Sequence, residues 1–268
     1  MTIKTRNRLN ISLFYISLAF LAANIIILLL SIYNHSFSLA PYAAAVQGKT
    51  FLTRYSPVVT LISLYFQIVY ICVASFMLYR VFEKTQATDI SYFYLFLIAL
   101  IANSIRIWIP LFNLNSTYSG LLIFCGDCVL FSKLLVPLSL FFCVVMEDRQ
   151  ELEKNIFLLL LGCTFFAKII PLNTAATCLN FEVDYSYRNV IKVSSVLIIL
   201  ATLIALFFNN RQKMYTQITT IGLALIIIGI YILFNAVNIL LLSFSFVLLL
   251  AGTILYLKEL HKQYLWNN

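Results

Sequence analysis

The chain has 268 residues, of which 62% are hydrophobic and 10% charged, with a formal net charge of +8 and a mean hydropathy of +0.97. Soluble domains carry about 25% charged residues, so this chain lacks the polar surface to face water on all sides. It is equally far from the low hydrophobicity of a disordered segment. Two histidines, His35 and His261, supply no cluster for a metal, a haem or a Ser-His-Asp site, so no metal and no cofactor are expected.

About 20 apolar residues cover the roughly 30 Å of a bilayer's hydrocarbon. Taken in chain order, eight runs meet that length: 11–33, 57–79, 91–112, 119–146, 156–172, 190–208, 217–234 and 239–257. Period-2 alternation is absent from these runs, which are far longer than a barrel strand. The expected fold is all-α: one integral membrane domain, 1–268, built as a polytopic bundle of about eight transmembrane helices.

The first run follows Lys4, Arg6 and Arg8 and is too long for a signal-peptide core, so it reads as an anchor. The turn 235–238 is tight and makes the last two spans a helical hairpin. The sequons at Asn34 and Asn115 fall close to the membrane and read as chance matches.

Orientation follows from Lys and Arg in the short loops. With the N-terminus inside, eleven of the 18 basic residues are cytoplasmic, among them Arg80, Lys84, Arg149, Lys154, Arg211 and Lys258. Only Lys49, Arg54 and Arg188 lie outside. Both termini are then cytoplasmic. The basic excess faces an anionic leaflet and gives no reason to invoke nucleic acid. Low-charge, Ile- and Asn-rich usage points to an AT-rich bacterium and no further; the membrane expected for such a chain is the bacterial cytoplasmic (inner) membrane.

Ionisable groups inside a span are costly, and each is a functional candidate. One acid, Asp127, and four bases, Arg106, Lys133, Lys168 and Lys192, fall within the spans. Arg106 and Asp127 lie roughly 10 Å below the outer ends of neighbouring spans, which predicts an ion pair between them. Lys133 lies near mid-bilayer and points away from Asp127, with Pro137 one turn further on. Lys192 is placed to snorkel to the surface. Asn103 shares a face with Arg106, and Gln67 with Tyr70. Together Arg106, Asp127, Lys133, Lys168, Asn103 and Gln67 describe an outward-facing, net-positive pocket for an anionic small molecule or lipid head group. Glu182 and Asp184 fall in the external loop 173–189 and read as solvated acids.

Cys125-Gly126-Asp127-Cys128 has redox spacing. It resembles the CxxC of membrane thiol oxidoreductases of the disulfide-bond-forming and vitamin K epoxide reductase types. Those families use a second pair of loop cysteines, and here only Cys178 is external. Packing cysteines are the leading expectation, with redox use of Cys125 and Cys128 as the alternative.

Arg80-Val81-Phe82-Glu83-Lys84 closes one span, a polar turn follows, and Ser91-Tyr92-Phe93-Tyr94-Leu95-Phe96 opens the next, which runs on to Arg106. This stretch resembles the seven-transmembrane sensor modules of bacterial intracellular-signalling receptors. The resemblance implies ligand sensing in the membrane, here coupled to a separate cytoplasmic partner, for which the turn Glu147–Lys154 is a candidate docking site. The leading expectation is therefore a non-enzymatic sensor or ligand-binding module. An enzyme or transporter acting on a lipid or small anion is second, and a thiol oxidoreductase third.

Overall fold

The computed structural model describes residues 3–34, 37, 39, 54–82, 88–114, 120–145, 152–178, 180–211 and 216–266. The helices are α1 (Ile3–Tyr33), α2 (Pro57–Val81), α3 (Thr88–Ser104), α4 (Gly120–Val145), α5 (Leu152–Ile169), α6 (Arg188–Arg211), α7 (Gln217–Phe234) and α8 (Ile239–Trp266). A 3-10 turn, Ile105–Ile107, and a short helical turn, Trp108–Leu111, extend α3. Seven of these segments are long and apolar enough to cross a membrane, while α5, which carries Glu153, Lys154 and Lys168, is not among them. The expected helical bundle is present, and its long apolar helices are consistent with a membrane-associated protein.

Local chemistry explains several boundaries. Pro57 starts α2 where its missing N–H costs nothing. Thr216 caps α7, its hydroxyl accepting the Thr219 N–H at 3.4 Å. Pro137 lies inside α4, which runs on to Val145.

Most of the molecule's core is shared by α2, α3, α4, α7 and α8. It contains Tyr92, Phe93 and Phe96, the aromatic opening of α3. Their burial identifies that aromatic cluster as core rather than surface belt. The adjoining turn 83–87 lies outside the described residues, as do the acidic turn 146–151 and most of the loop 35–53.

On α1, Asn10, Ser17, Asn24 and Ser31 are all buried while Leu9, Ile16, Ile26 and Leu30 are exposed. The buried positions recur every two turns, so α1 turns a polar stripe inward. Trp108 Nε1 donates to Asn24 Oδ1 at 3.0 Å, and Ser31 Oγ donates to the Leu111 carbonyl at 3.1 Å. Hydrogen bonds of this kind hold helices together where apolar contact with the surroundings offers no contrast.

The last two helices form the expected hairpin. Glycines let them touch backbone to backbone: a Cβ on Gly222 would lie 2.7 Å from the Tyr256 N, and one on Gly252 would lie 2.8 Å from the Gly222 carbonyl.

One segment departs from the all-α expectation. The fifth helix ends at Ile169, and Leu172, expected at the end of a span, begins a strand. Strands β1 (Leu172–Thr177) and β2 (Val183–Tyr185) pair antiparallel, with Leu172 opposite Tyr185 and an irregularity between Asn173 and Thr177. The segment read as a solvated loop is thus a β-hairpin, and its tip folds into the bundle. Phe181, at a φ of 58°, packs among Leu61, Leu64, Ile107 and Leu111. Val183 packs against Ile109, Leu122 and Cys125, and Tyr185 against Leu130, Ala167 and Ile191. Gly126 supplies the gap for this hairpin, because a Cβ there would lie 2.8 Å from the Leu172 side chain.

The glycine contacts predict a contrast. Gly252→Ala forces backbone against backbone and should destabilise the protein by about 1–3 kcal/mol. Gly162→Ala in α5, where nothing lies within 4 Å of the new Cβ, should be neutral or stabilising by up to about 1 kcal/mol. Thermal unfolding of the two variants in the same lipid checks both.

Candidate functional site

The centre of the site is Glu182, at the base of β2, with a side chain 1% exposed. Arg106 Nη1 donates to its Oε1 at 2.7 Å, and Lys133 Nζ donates to its Oε2 at 2.5 Å. Arg188, at the start of α6, stands 3.8 Å from Oε2 and 3.7 Å from Asp184. One buried carboxylate therefore gathers cations from the end of α3, the middle of α4 and the start of α6. Lys133 also donates to the Tyr185 hydroxyl at 3.1 Å and lies 5.1 Å from the centre of that ring.

Burial by itself would push the Glu182 carboxyl up, but the charges of Lys133 and Arg106 outweigh it and hold the group below the usual glutamate range.

The expected Arg106–Asp127 pair does not form. Arg106, 1% exposed, is taken by Glu182, and Asp127 pairs with Lys168 of α5. Arg106 and Asp127 lie at similar depth by residue count, but their partners come from the hairpin and from α5. Glu182 and Arg188 are the residues the sequence reading left out of the site. The missed signal is the alternation Phe181-Glu182-Val183-Asp184-Tyr185, a strand pattern inside a nominal loop.

Gln67 and Asn103 do meet. Asn103 Nδ2 donates to Gln67 Oε1 at 2.9 Å, and Gln67 Nε2 donates to the Leu100 carbonyl at 2.7 Å. They tie α2 to α3.

Beside the Glu182 cluster lies a cavity of about 150 Å³, walled by α4, the hairpin, α6 and α7. Lys133, Glu182, Arg188 and Lys192 line its polar part, and Val136, Leu140, Ile199, Ile227 and Ile230 its apolar part. Arg106, Asp127, Lys168, Asn103 and Gln67 are not in its lining. Lys192, expected only to snorkel, is exposed and faces the cavity mouth. Three cations thus meet a single lining carboxylate, and that carboxylate's two oxygens are already engaged.

None of the six cysteines is in a disulfide. Cys125 packs against the hairpin and its thiol lies 3.9 Å from the Ile105 carbonyl. Cys178 accepts a hydrogen bond from Arg188 at 2.8 Å. Burial pushes the Cys178 thiol up, against the pull of Arg188. Mostly packed thiols with no disulfide among them weigh against the thiol-oxidoreductase alternative.

No family model, curated protein or solved structure matches the chain. The fold and site define a helical bundle, consistent with membrane association, that holds a cation-rich cavity beside a buried β-hairpin.

Removing the charge at Glu182 strands Arg106 and Lys133 without a counter-charge. Glu182→Gln should cost about 3–5 kcal/mol. A carboxyl held low stabilises the fold fully above its unfolded pKa of about 4.3 and loses that contribution as pH falls through the folded value. The stability gap between the parent and Glu182→Gln should therefore stay constant from about pH 7 to about pH 5.5 and close on further acidification. Denaturant unfolding across that range measures it.

Proposed function

We propose that the chain is a membrane-embedded, non-enzymatic ligand-binding module or sensor whose cavity receives an anionic group and signals through a separate cytoplasmic partner. In this reading eight helices, α5 included, cross a bacterial cytoplasmic membrane with both termini inside. The basic residues of the inner loops support that orientation. Exposed apolar residues along α1 and α6, such as Ile16, Leu29, Leu197 and Ile204, support lipid as the surrounding medium. The hairpin and the cavity's polar part then face outward.

The observation that carries the proposal is the imbalance in the lining, where Lys133, Arg188 and Lys192 outnumber Glu182. An anion entering there gains charge-assisted hydrogen bonds with no acid left to repel it unscreened. Of the residues first read from the sequence, Lys133 binds directly. Arg106 acts through Glu182, whose position it sets. Asp127 with Lys168, and Asn103 with Gln67, brace the helices that carry the site.

The test is thermal unfolding in nanodiscs of zwitterionic lipid, titrated with inorganic phosphate, acetate and anionic lipids. A ligand at about 100 times its dissociation constant should add about 2.7 kcal/mol. Lys192→Gln and Arg188→Gln should each abolish most of that gain. No gain with any anion overturns the proposal, and consumption or net transport of the bound compound would replace it with an enzyme or a carrier.

A further inference from the structure

We infer that the cavity takes an amphiphile with one anionic head and one acyl chain, admitted sideways through the seam between α6 and α7. The inference rests on the anion-site reading above and adds the class of ligand and its route.

The first ground is a polarity gradient shared by three walls. On α4 the lining passes from Lys133 to Leu140, and on α6 from Lys192 to Ile199. On α7, which runs the opposite way, Asn235 is at the hairpin end and Ile227 is deeper. Each wall changes from charged or polar to aliphatic over roughly 10 Å. A small hydrophilic anion would fill only the hairpin end and leave aliphatic surface facing empty space. A chain attached to the anion covers that surface and gains the free energy of apolar burial.

The second ground is how the walls are held. Helix α6 packs chiefly on α4, and α7 chiefly on α8, so α6 and α7 meet only sparsely. Gly222 and Gly252 bring α7 against α8 backbone to backbone, so α7 is held chiefly by α8 and not by α6. Both helices line the cavity at this seam, α6 with exposed Lys192 and α7 with half-exposed Tyr231. In a bilayer a side seam opens to lipid, and what arrives from lipid carries a chain.

The third ground is size. A cavity of about 150 Å³ holds one benzene-sized body when dry. The volume here, also about 150 Å³, accommodates a head group and the first methylenes of one chain, with the remainder lying in the seam.

The test uses a matched set of probes on the full chain in phosphatidylcholine nanodiscs: dodecyl phosphate, dodecylphosphocholine and inorganic phosphate. Apparent affinity is read from thermal shift. It is read independently from protection of Ser195→Cys, a cavity-wall position, against a membrane-permeant alkylating reagent. Dodecyl phosphate should bind about tenfold or more tightly than either comparator. Lys192→Gln should weaken it about ten- to a hundredfold, the cost of a charge-assisted hydrogen bond. Ile199→Trp, which fills the aliphatic end, should weaken dodecyl phosphate and leave phosphate unchanged. Where Ile199→Trp fails to fold, the Ser195→Cys protection decides by itself.

Phosphate binding as tightly as dodecyl phosphate would overturn the amphiphile and leave the anion site standing. Equal binding of dodecylphosphocholine, insensitive to Lys192→Gln, would mean unspecific partitioning and would overturn the inference. Protection or shift by none of the three would overturn the anion site as well.

Discussion

The Glu182 carboxylate is the constraint on which the site depends. Its two oxygens join Arg106 from the extension of α3 and Lys133 from the middle of α4. Without it, both cations would stand buried or nearly so with no counter-charge, a situation that unpaired groups in a low-dielectric interior do not tolerate. Without them, the hairpin would carry a buried acid into an apolar bundle. Each side of the cluster makes the other affordable, so the hairpin and the two helices must assemble together.

The hairpin also answers for much of the packing around that cluster. Its apolar residues seat separately, Phe181 among α2 and the end of α3, Val183 against the start of α4, and Tyr185 between α4, α5 and α6. The positive φ at Phe181 is uncommon for a bulky residue. It turns the chain so that Phe181 and Glu182 both point inward. The Cys125-Gly126-Asp127-Cys128 segment acquires a structural explanation here. Cys125 contacts the hairpin, Gly126 makes room for it, and Asp127 turns away to Lys168.

The helices were legible because a long apolar run has a single dominant reading. The hairpin between α7 and α8 followed from turn length, whereas several ends did not follow from apolar composition: α1 begins at Ile3 and α8 runs to Trp266, both past the apolar run into polar residues, and α5 is shifted to Leu152–Ile169. The β-hairpin was not legible in the same way. Its strands are short, and the alternation at Phe181–Tyr185 was masked by the assumption that acids in a loop are solvated. Lys133 was recognised as unusual from depth alone, and its partner could not be, because depth does not say which distant segment folds back. Arg106 and Asp127 failed as a pair for that reason: each satisfied the cost of burial with a residue outside the two spans being compared. The inward polar stripe of α1, Asn10 to Ser31, is written in the sequence as a two-turn repeat, but uncharged Asn and Ser carry little cost on either face of a helix and so do not by themselves fix which face turns inward.

A fold that needed only to hold its hairpin in place would match Glu182 with Arg106 and Lys133 and stop there. Arg188 and Lys192 add positive charge beside a carboxylate already engaged, and added like charge lowers stability unless something compensates it. Asp184, 38% exposed, compensates Arg188 in part. Lys192 forms no ion pair among the described residues. Its cost is small while its exposed ammonium stays solvated, and under the proposed reading its benefit appears when an anion is bound. Because Lys133 is shared between Glu182 and the cavity, an anion bound there draws on the same cation that anchors the hairpin. Under the proposed reading, occupancy of the cavity is coupled to how firmly β2 is held, and binding there would become a change of structure.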